Sequence, residues 1–193
     1  MSAPLLLAST SPQRRAILEQ LGLPFEVVAP HYEERDEAGL VPSELVRAHA
    51  VGKARSVADE AGEGPVLGVD TAVVVDGRVL GKPADETEAV AMLEALGGRD
   101  HVVVSGLCLL APGWEAVDHE ETRVSFRELA PRDIAAYVRA GEWRGRAGGY
   151  AIQGLGATLV DRIEGDYLNV VGLPAALLVR LLAERFPGAY GIG

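Results

Sequence analysis

Apolar residues in this chain fall into two kinds of run that alternate along its length: short continuous blocks, and stretches with a helical period. LLLAS (5–9) predicts a short buried strand, and PQRRAILEQLG (12–22) a helix ended by Gly22. FEVVAP (25–30) predicts a second strand, followed by an acidic loop, HYEERDEAG (31–39). Ser43 then reads as the cap of a helix over roughly 44–60. VLGVDTAVVV (66–75) predicts a strand, and Asp76-Gly77 is a two-residue hairpin signal ahead of RVLGK.

Beyond the hairpin, a helix is expected over 85–96, closed by Gly97-Gly98, and strands over 101–111 and 116–126 with Pro112-Gly113 between them. A helix near 131–140, a glycine-rich stretch GRAGGYAIQGLGA (145–157), a strand at 157–163 and a helix at 174–185 complete the pattern. Hairpins mixed with crossover helices imply an α/β fold whose central sheet is mixed rather than fully parallel. With 193 residues and neither repeats nor a low-complexity linker, the chain suits one domain, or two small lobes around a cleft.

Charge narrows the function classes. The formal net charge is −10, which disfavours a protein that coats nucleic acid or lies on an anionic membrane. No apolar run approaches the roughly 20 residues of a spanning helix, and the first apolar run is too short for a secretory signal. Cys108 is the single cysteine, so neither an intrachain disulfide nor a multi-cysteine zinc site is available. These features lead us to expect a cytoplasmic protein. His31, His49, His101 and His119 show no metal-ligand spacing.

Several polar residues sit where the pattern asks for apolar ones. Lys53 falls on the stripe formed by Val46, Ala50 and Val57, so its ammonium either snorkels to the surface or meets a buried anion. Asp70 interrupts a strand that continues to Val75; a carboxylate there either ends a strand, or is held by partners or a metal. Counting back through the hairpin places Lys82 opposite Thr71, one residue from Asp70, with a bulge or strand end at Gly81 deciding the facing. Ser11 reads as the cap, and Pro12 as the first residue, of a helix whose first turn carries Arg14 and Arg15, although a helix N-terminus favours anions. Either these arginines are solvated or an anion belongs there. Glu33 and Glu34 are loop acids that would ordinarily be solvated. QGLGAT leads into a strand, so it is no dinucleotide fingerprint, while the Gln153 amide is suited to reading a base edge. Cations gathered around a carboxylate suggest phosphate chemistry with an activated water.

Together, LLLASTSPQRRAILEQLGLPFEV, the acidic pair at 33–34, Lys53-Ala54, GVDTAVV, LGKP, FRELA, and AGGYAIQGLGA followed by IEGDYLNVVGLP resemble the Maf proteins (septum formation inhibitor Maf) over nearly the whole chain. The resemblance implies the Maf/Ham1 inosine-triphosphatase-like fold and hydrolysis of a nucleoside triphosphate to the monophosphate and pyrophosphate, aided by a divalent cation such as Mg²⁺ or Mn²⁺. On that basis Asp70 is the general base, Ser9, Ser11, Arg14, Lys53 and Lys82 hold the triphosphate, and Glu34, the better match of the acidic pair, joins Asp70 at the metal. Gln13, Thr71 and Gln153 occupy the positions that follow base choice. Thr71 and Gln153 match the subgroup acting on dTTP and UTP, whereas Gln13 stands where that subgroup usually has arginine. Trp143 and Arg146 replace a common proline and lysine. The resemblance also implies a homodimer. The same reaction on 7-methyl-GTP or CTP is the neighbouring expectation, and a non-enzymatic regulator of cell division the rival from another class.

Overall fold

The computed structural model describes residues 3–34, 40–62 and 64–191. Its elements, in chain order, are β1 (Leu5–Ala8), α1 (Pro12–Gln20), β2 (Phe25–Val28), α2 (Pro42–Arg55), β3 (Val66–Val75), β4 (Arg78–Leu80) and α3 (Glu86–Leu96). They continue with β5 (Asp100–Ala111), β6 (Trp114–Phe126), α4 (Pro131–Ala140), β7 (Val160–Glu164), α5 (Tyr167–Val171) and α6 (Ala175–Arg185). The seven strands form a sheet in the order β2-β1-β3-β5-β6-β7, with β4 paired to β3. β1 runs parallel to both β2 and β3, while β4 is antiparallel to β3 and β7 to β6. This is the mixed α/β sheet that the alternation of patterns predicts.

The Asp76-Gly77 turn forms as expected. Both residues have positive φ (49° and 73°), and Val75, Val74 and Val73 pair with Arg78, Val79 and Leu80. The ladder stops at Leu80, so the strand-end alternative holds and Lys82 lies past the ladder in an exposed segment. Asp85 caps α3 by accepting the Glu88 N–H at 2.9 Å, and Glu88 returns a bond from the Ala84 N–H.

Four expectations need correction. Ser43 is not a cap: Pro42 occupies the first helical position, Val41 precedes it, and the Ser43 carbonyl accepts from Arg47 Nε. That helix ends at Arg55, and residues 58–60 form a separate 3-10 turn. Ser11 stands at the N-cap of α1 but gives it no side-chain cap, because its hydroxyl donates to Gln13 Oε1 at 3.2 Å. The strand expected at 157–163 begins at Val160, since Gly154–Leu159 winds into 3-10 turns. The short helix α5 has no counterpart in the sequence reading. Of the acidic loop at 31–39, residues 35–39 lie outside the described part of the chain.

The chain divides into two compact units. The first comprises Met1–Asp70, Ser105–Glu120 and Gly172–Gly193, the second Thr71–Val104 and Glu121–Val171. One core cluster of the first unit joins Leu6, Ala8, Ala50, Ala54, Val57, Val66 and Cys108, so the buried face of α2 packs on the sheet. Two strand glycines permit the close approach: a Cβ at Gly68 would overlap the Ala50 carbonyl oxygen, and one at Gly106 the backbone of Val46. The second unit is built on Val73, Val75, Leu93, Leu96, Phe126, Ile134, Tyr137, Trp143 and Tyr150. Among the described residues no helix is long and apolar enough to cross a membrane.

Candidate active site

In the first unit the close packing of α2 on β3 carries Lys53 to Asp70. The Lys53 ammonium donates to Asp70 Oδ1 at 2.5 Å and to the Val69 carbonyl at 3.4 Å, and pairs with Glu34 Oε1 at 2.6 Å. Of the two alternatives for Lys53, the buried anion is the one observed: its side chain is 8% exposed, against 14% for Asp70 and 48% for Glu34. A lysine on the apolar stripe is tolerable because two carboxylates replace the water it loses.

Glu34 is brought there by a segment strapped along α2. The His31 N–H donates to Ser56 Oγ at 3.1 Å, and Ser56 Oγ donates to the Lys53 carbonyl. Tyr32 lies over Gly52, where any Cβ would overlap its ring, and its hydroxyl is 3.0 Å from Nδ1 of buried His49. Sequence reasoning did not single out Tyr32 or Gly52, and it weighed His49 only as a metal ligand. A glycine inside a helix immediately before an anomalous lysine was the available signal, since glycine there weakens a helix unless something packs closely on it.

The first turn of α1 resolves the paired arginines by turning them in different directions. Arg15 is exposed and bonds Glu19 at 2.8 Å, one turn along the helix. Arg14 turns inward, donating from Nε to the Gly172 carbonyl at 2.9 Å and from one terminal nitrogen to Ser9 Oγ at 3.0 Å. Loss of water lowers the pKa of its guanidinium, while the charges of Asp70 and Glu34 oppose that shift. Ser9 is buried and also accepts the Ser11 N–H at 3.2 Å. Gln13 is half-buried beside Ser11.

The structure thus gathers Ser9, Arg14, Glu34, Lys53 and Asp70 in the first unit. Ser11 and Gln13 lie in the same unit, and the other three candidates belong to the second: Thr71 is half-buried on β3, Lys82 is exposed after β4, and Gln153 is exposed immediately before the 3-10 turn at Gly154–Leu159. A hydrogen bond from the Gly148 N–H to the Gly81 carbonyl, 2.9 Å long, ties the glycine-rich stretch to the residue before Lys82. Cys108 is fully buried, and burial first, then Glu115, pushes its thiol up to about 12, which excludes it as a nucleophile.

The donor set also bears on a metal. Among the described residues no group of three His, Cys, Asp or Glu side chains is placed to hold an ion. Asp70 and Glu34 nonetheless present carboxylate oxygens to a single point, now taken by the Lys53 ammonium. Two carboxylates suit a hard divalent cation of the magnesium type, which binds through one or two protein carboxylates plus substrate. The residues fit such an ion.

An α/β protein with carboxylates, a buried ammonium and an inward guanidinium at one place has the constitution of a site for anionic substrates. Residues 4–185 match the Maf-like protein family, and the chain belongs to it. Three relatives named dTTP/UTP pyrophosphatase come from Gloeobacter violaceus, Moorella thermoacetica and Symbiobacterium thermophilum. The first is 48% identical, covering 95% of this chain and 97% of its own; the second is 50% identical, covering 93% of each. The third is 48% identical and also covers 93% of each. Among solved structures, the Ham1 protein of Staphylococcus aureus matches with a TM-score of 0.44 and 15% identity, over 64% of this chain and 71% of its own.

Proposed function

We propose that the chain is a nucleoside triphosphate pyrophosphatase that hydrolyses dTTP and UTP to the monophosphate and pyrophosphate. The observation that carries this reading is the Lys53 ammonium seated between Asp70 and Glu34, beside an inward Arg14. Its relatives named dTTP/UTP pyrophosphatase support the choice of reaction and of base.

In this reading Asp70 accepts a proton from water, whose oxygen attacks the α-phosphorus as the bond to the bridging oxygen breaks and pyrophosphate leaves. Lys53 fixes the Asp70 carboxylate and, with Arg14 and Lys82, neutralises charge on the phosphoryl oxygens. Ser9 holds the Arg14 guanidinium, and Ser11 lies at the polar start of the same site. Asp70 and Glu34 would hold a Mg²⁺ or Mn²⁺ ion, which supplies further neutralisation of the triphosphate. Gln13, Thr71 and Gln153 face base choice, with the Gln153 amide offering both a donor and an acceptor to a pyrimidine edge.

The test is pyrophosphate release from a panel of dTTP, UTP, CTP and 7-methyl-GTP with either cation present. dTTP and UTP are expected to lead. Ranking at the bottom would overturn the pyrimidine assignment, and a panel with no turnover would overturn the enzyme itself.

A further inference from the structure

The loop that carries Gln153 is fastened on both sides of that residue. Two positions before it, the Ala151 N–H donates to the Tyr137 hydroxyl at 2.9 Å. Two and three positions after it, the Leu155 and Gly156 N–H groups donate to Glu142 Oε1 and Oε2 at 3.0 and 3.2 Å. Glu142 is itself held at the end of α4. Gly141 closes that helix with a left-handed φ of 76°, and Trp143 is buried with its indole N–H on the Val138 carbonyl at 3.0 Å. The loop backbone fits the carboxylate closely. Gly154 has φ +75°, and a Cβ there would stand 2.7 Å from Glu142 Oε1; a Cβ on Gly156 would overlap the Ala151 carbonyl oxygen. Between these fastenings the Gln153 side chain is exposed, and among the described residues no hydrogen bond involves its amide.

We infer that Glu142 is a positioning residue for base selection: its carboxylate grips two successive backbone amides and so fixes the loop backbone from which the Gln153 side chain reads the pyrimidine. This rests on the reading of Gln153 as a base contact. A carboxylate accepting two amides is a charge-assisted clamp, stronger than the ordinary turn bonds of a glycine-rich loop. Holding a loop backbone that would otherwise wander removes part of the entropic cost of binding. It should therefore act on discrimination and KM rather than on the chemical step.

The experiment compares wild type, Glu142→Ala, Glu142→Gln, Gln153→Ala and the double variant E142A/Q153A on dTTP and CTP. E142A should raise the KM for dTTP about tenfold with kcat within about twofold, and should cut the preference for dTTP over CTP by a similar factor. E142Q, which keeps one acceptor oxygen, should recover part of that preference. The double variant should discriminate no worse than Q153A alone, because both changes remove one interaction. In E142Q the Leu155 and Gly156 amides should exchange with solvent faster than in wild type, a readout that needs neither turnover nor the alanine variant. An unchanged preference in E142A, additive losses in the double variant, or unchanged amide exchange in E142Q each overturns the inference. Wild type releasing pyrophosphate from no nucleotide overturns the underlying reading and this inference with it.

Discussion

Lys53 is more deeply buried than Asp70, the carboxylate it bonds at 2.5 Å, and Glu34 holds the same ammonium from the more exposed side. The cation is therefore the centre of the cluster, and each acid has its place because the cation is there. A mutual attraction of this kind changes sign when its centre is removed: mostly buried Asp70 and half-exposed Glu34 then face each other as like charges.

Replacing Lys53 by methionine should abolish turnover and lower the unfolding free energy by roughly 2 kcal/mol, less than a fully buried pair because Glu34 is half exposed. The diagnostic is the second substitution. Glu34→Gln should cost stability in the wild type, where it removes a partner of Lys53, and restore stability in the K53M background, where it removes a repulsion. Urea unfolding of the four proteins measures this, and a Glu34→Gln effect of the same sign in both backgrounds contradicts the arrangement.

Asp70→Asn keeps the shape and the hydrogen bond to Lys53 but removes proton acceptance. kcat should fall by at least about a hundredfold, with nucleotide binding retained. Titrating a non-hydrolysable triphosphate separates the two effects. Undiminished turnover in D70N would mean that another group activates the water.

How much of this was legible depended on the kind of signal. Lys53 and Asp70 stood out because each broke a periodic apolar pattern, and a broken pattern is visible in one dimension. The hairpin was legible to the residue because Asp-Gly selects a turn whose length fixes the register. The straps on either side of the candidate residues were not. Tyr32 over Gly52, and Glu142 under the amides of Leu155 and Gly156, join residues whose pairing depends on backbone paths that no local period encodes. Ser11 misled for the opposite reason: its type suits a helix cap, but a neighbouring glutamine took its hydroxyl.

Gly68 links the fold to the site, since its missing side chain lets α2 come close enough for Lys53 to reach the strand residue two positions on. Gly68→Ala would force a methyl group against the Ala50 carbonyl oxygen and should destabilise the protein by about 3 kcal/mol. Activity should fall with it, because Lys53 moves with the helix. Gly81 is the control: a Cβ there meets open space, and Gly81→Ala should leave stability within about 0.5 kcal/mol. Equal thermal midpoints for the two variants would refute the close-packing account.

In the second unit, His101 makes a separate prediction through pH. Its ring is buried edge-on to Phe126 and Tyr150, with Nε2 2.8 Å from the Tyr150 hydroxyl and, among the described residues, no partner at Nδ1. Burial pushes its pKa down from 6.5 to about 4, with the charge of Asp100 pulling the other way. Above pH 6.5 the ring is neutral in both the folded and the unfolded chain and contributes no pH dependence. As the pH falls from 6.5 towards 4, the unfolded chain takes up a proton that the folded protein refuses, so stability declines across that window. The full effect is about 3 kcal/mol. Urea unfolding of wild type and His101→Phe at pH 7.5 and pH 4 isolates the histidine, because the difference between the two proteins removes what they share. The wild type should lose about 3 kcal/mol relative to the variant between those two pH values. A ring resonance titrating near 6.5 in the folded protein, or a constant difference between the two proteins, would show that His101 is not held neutral by the core.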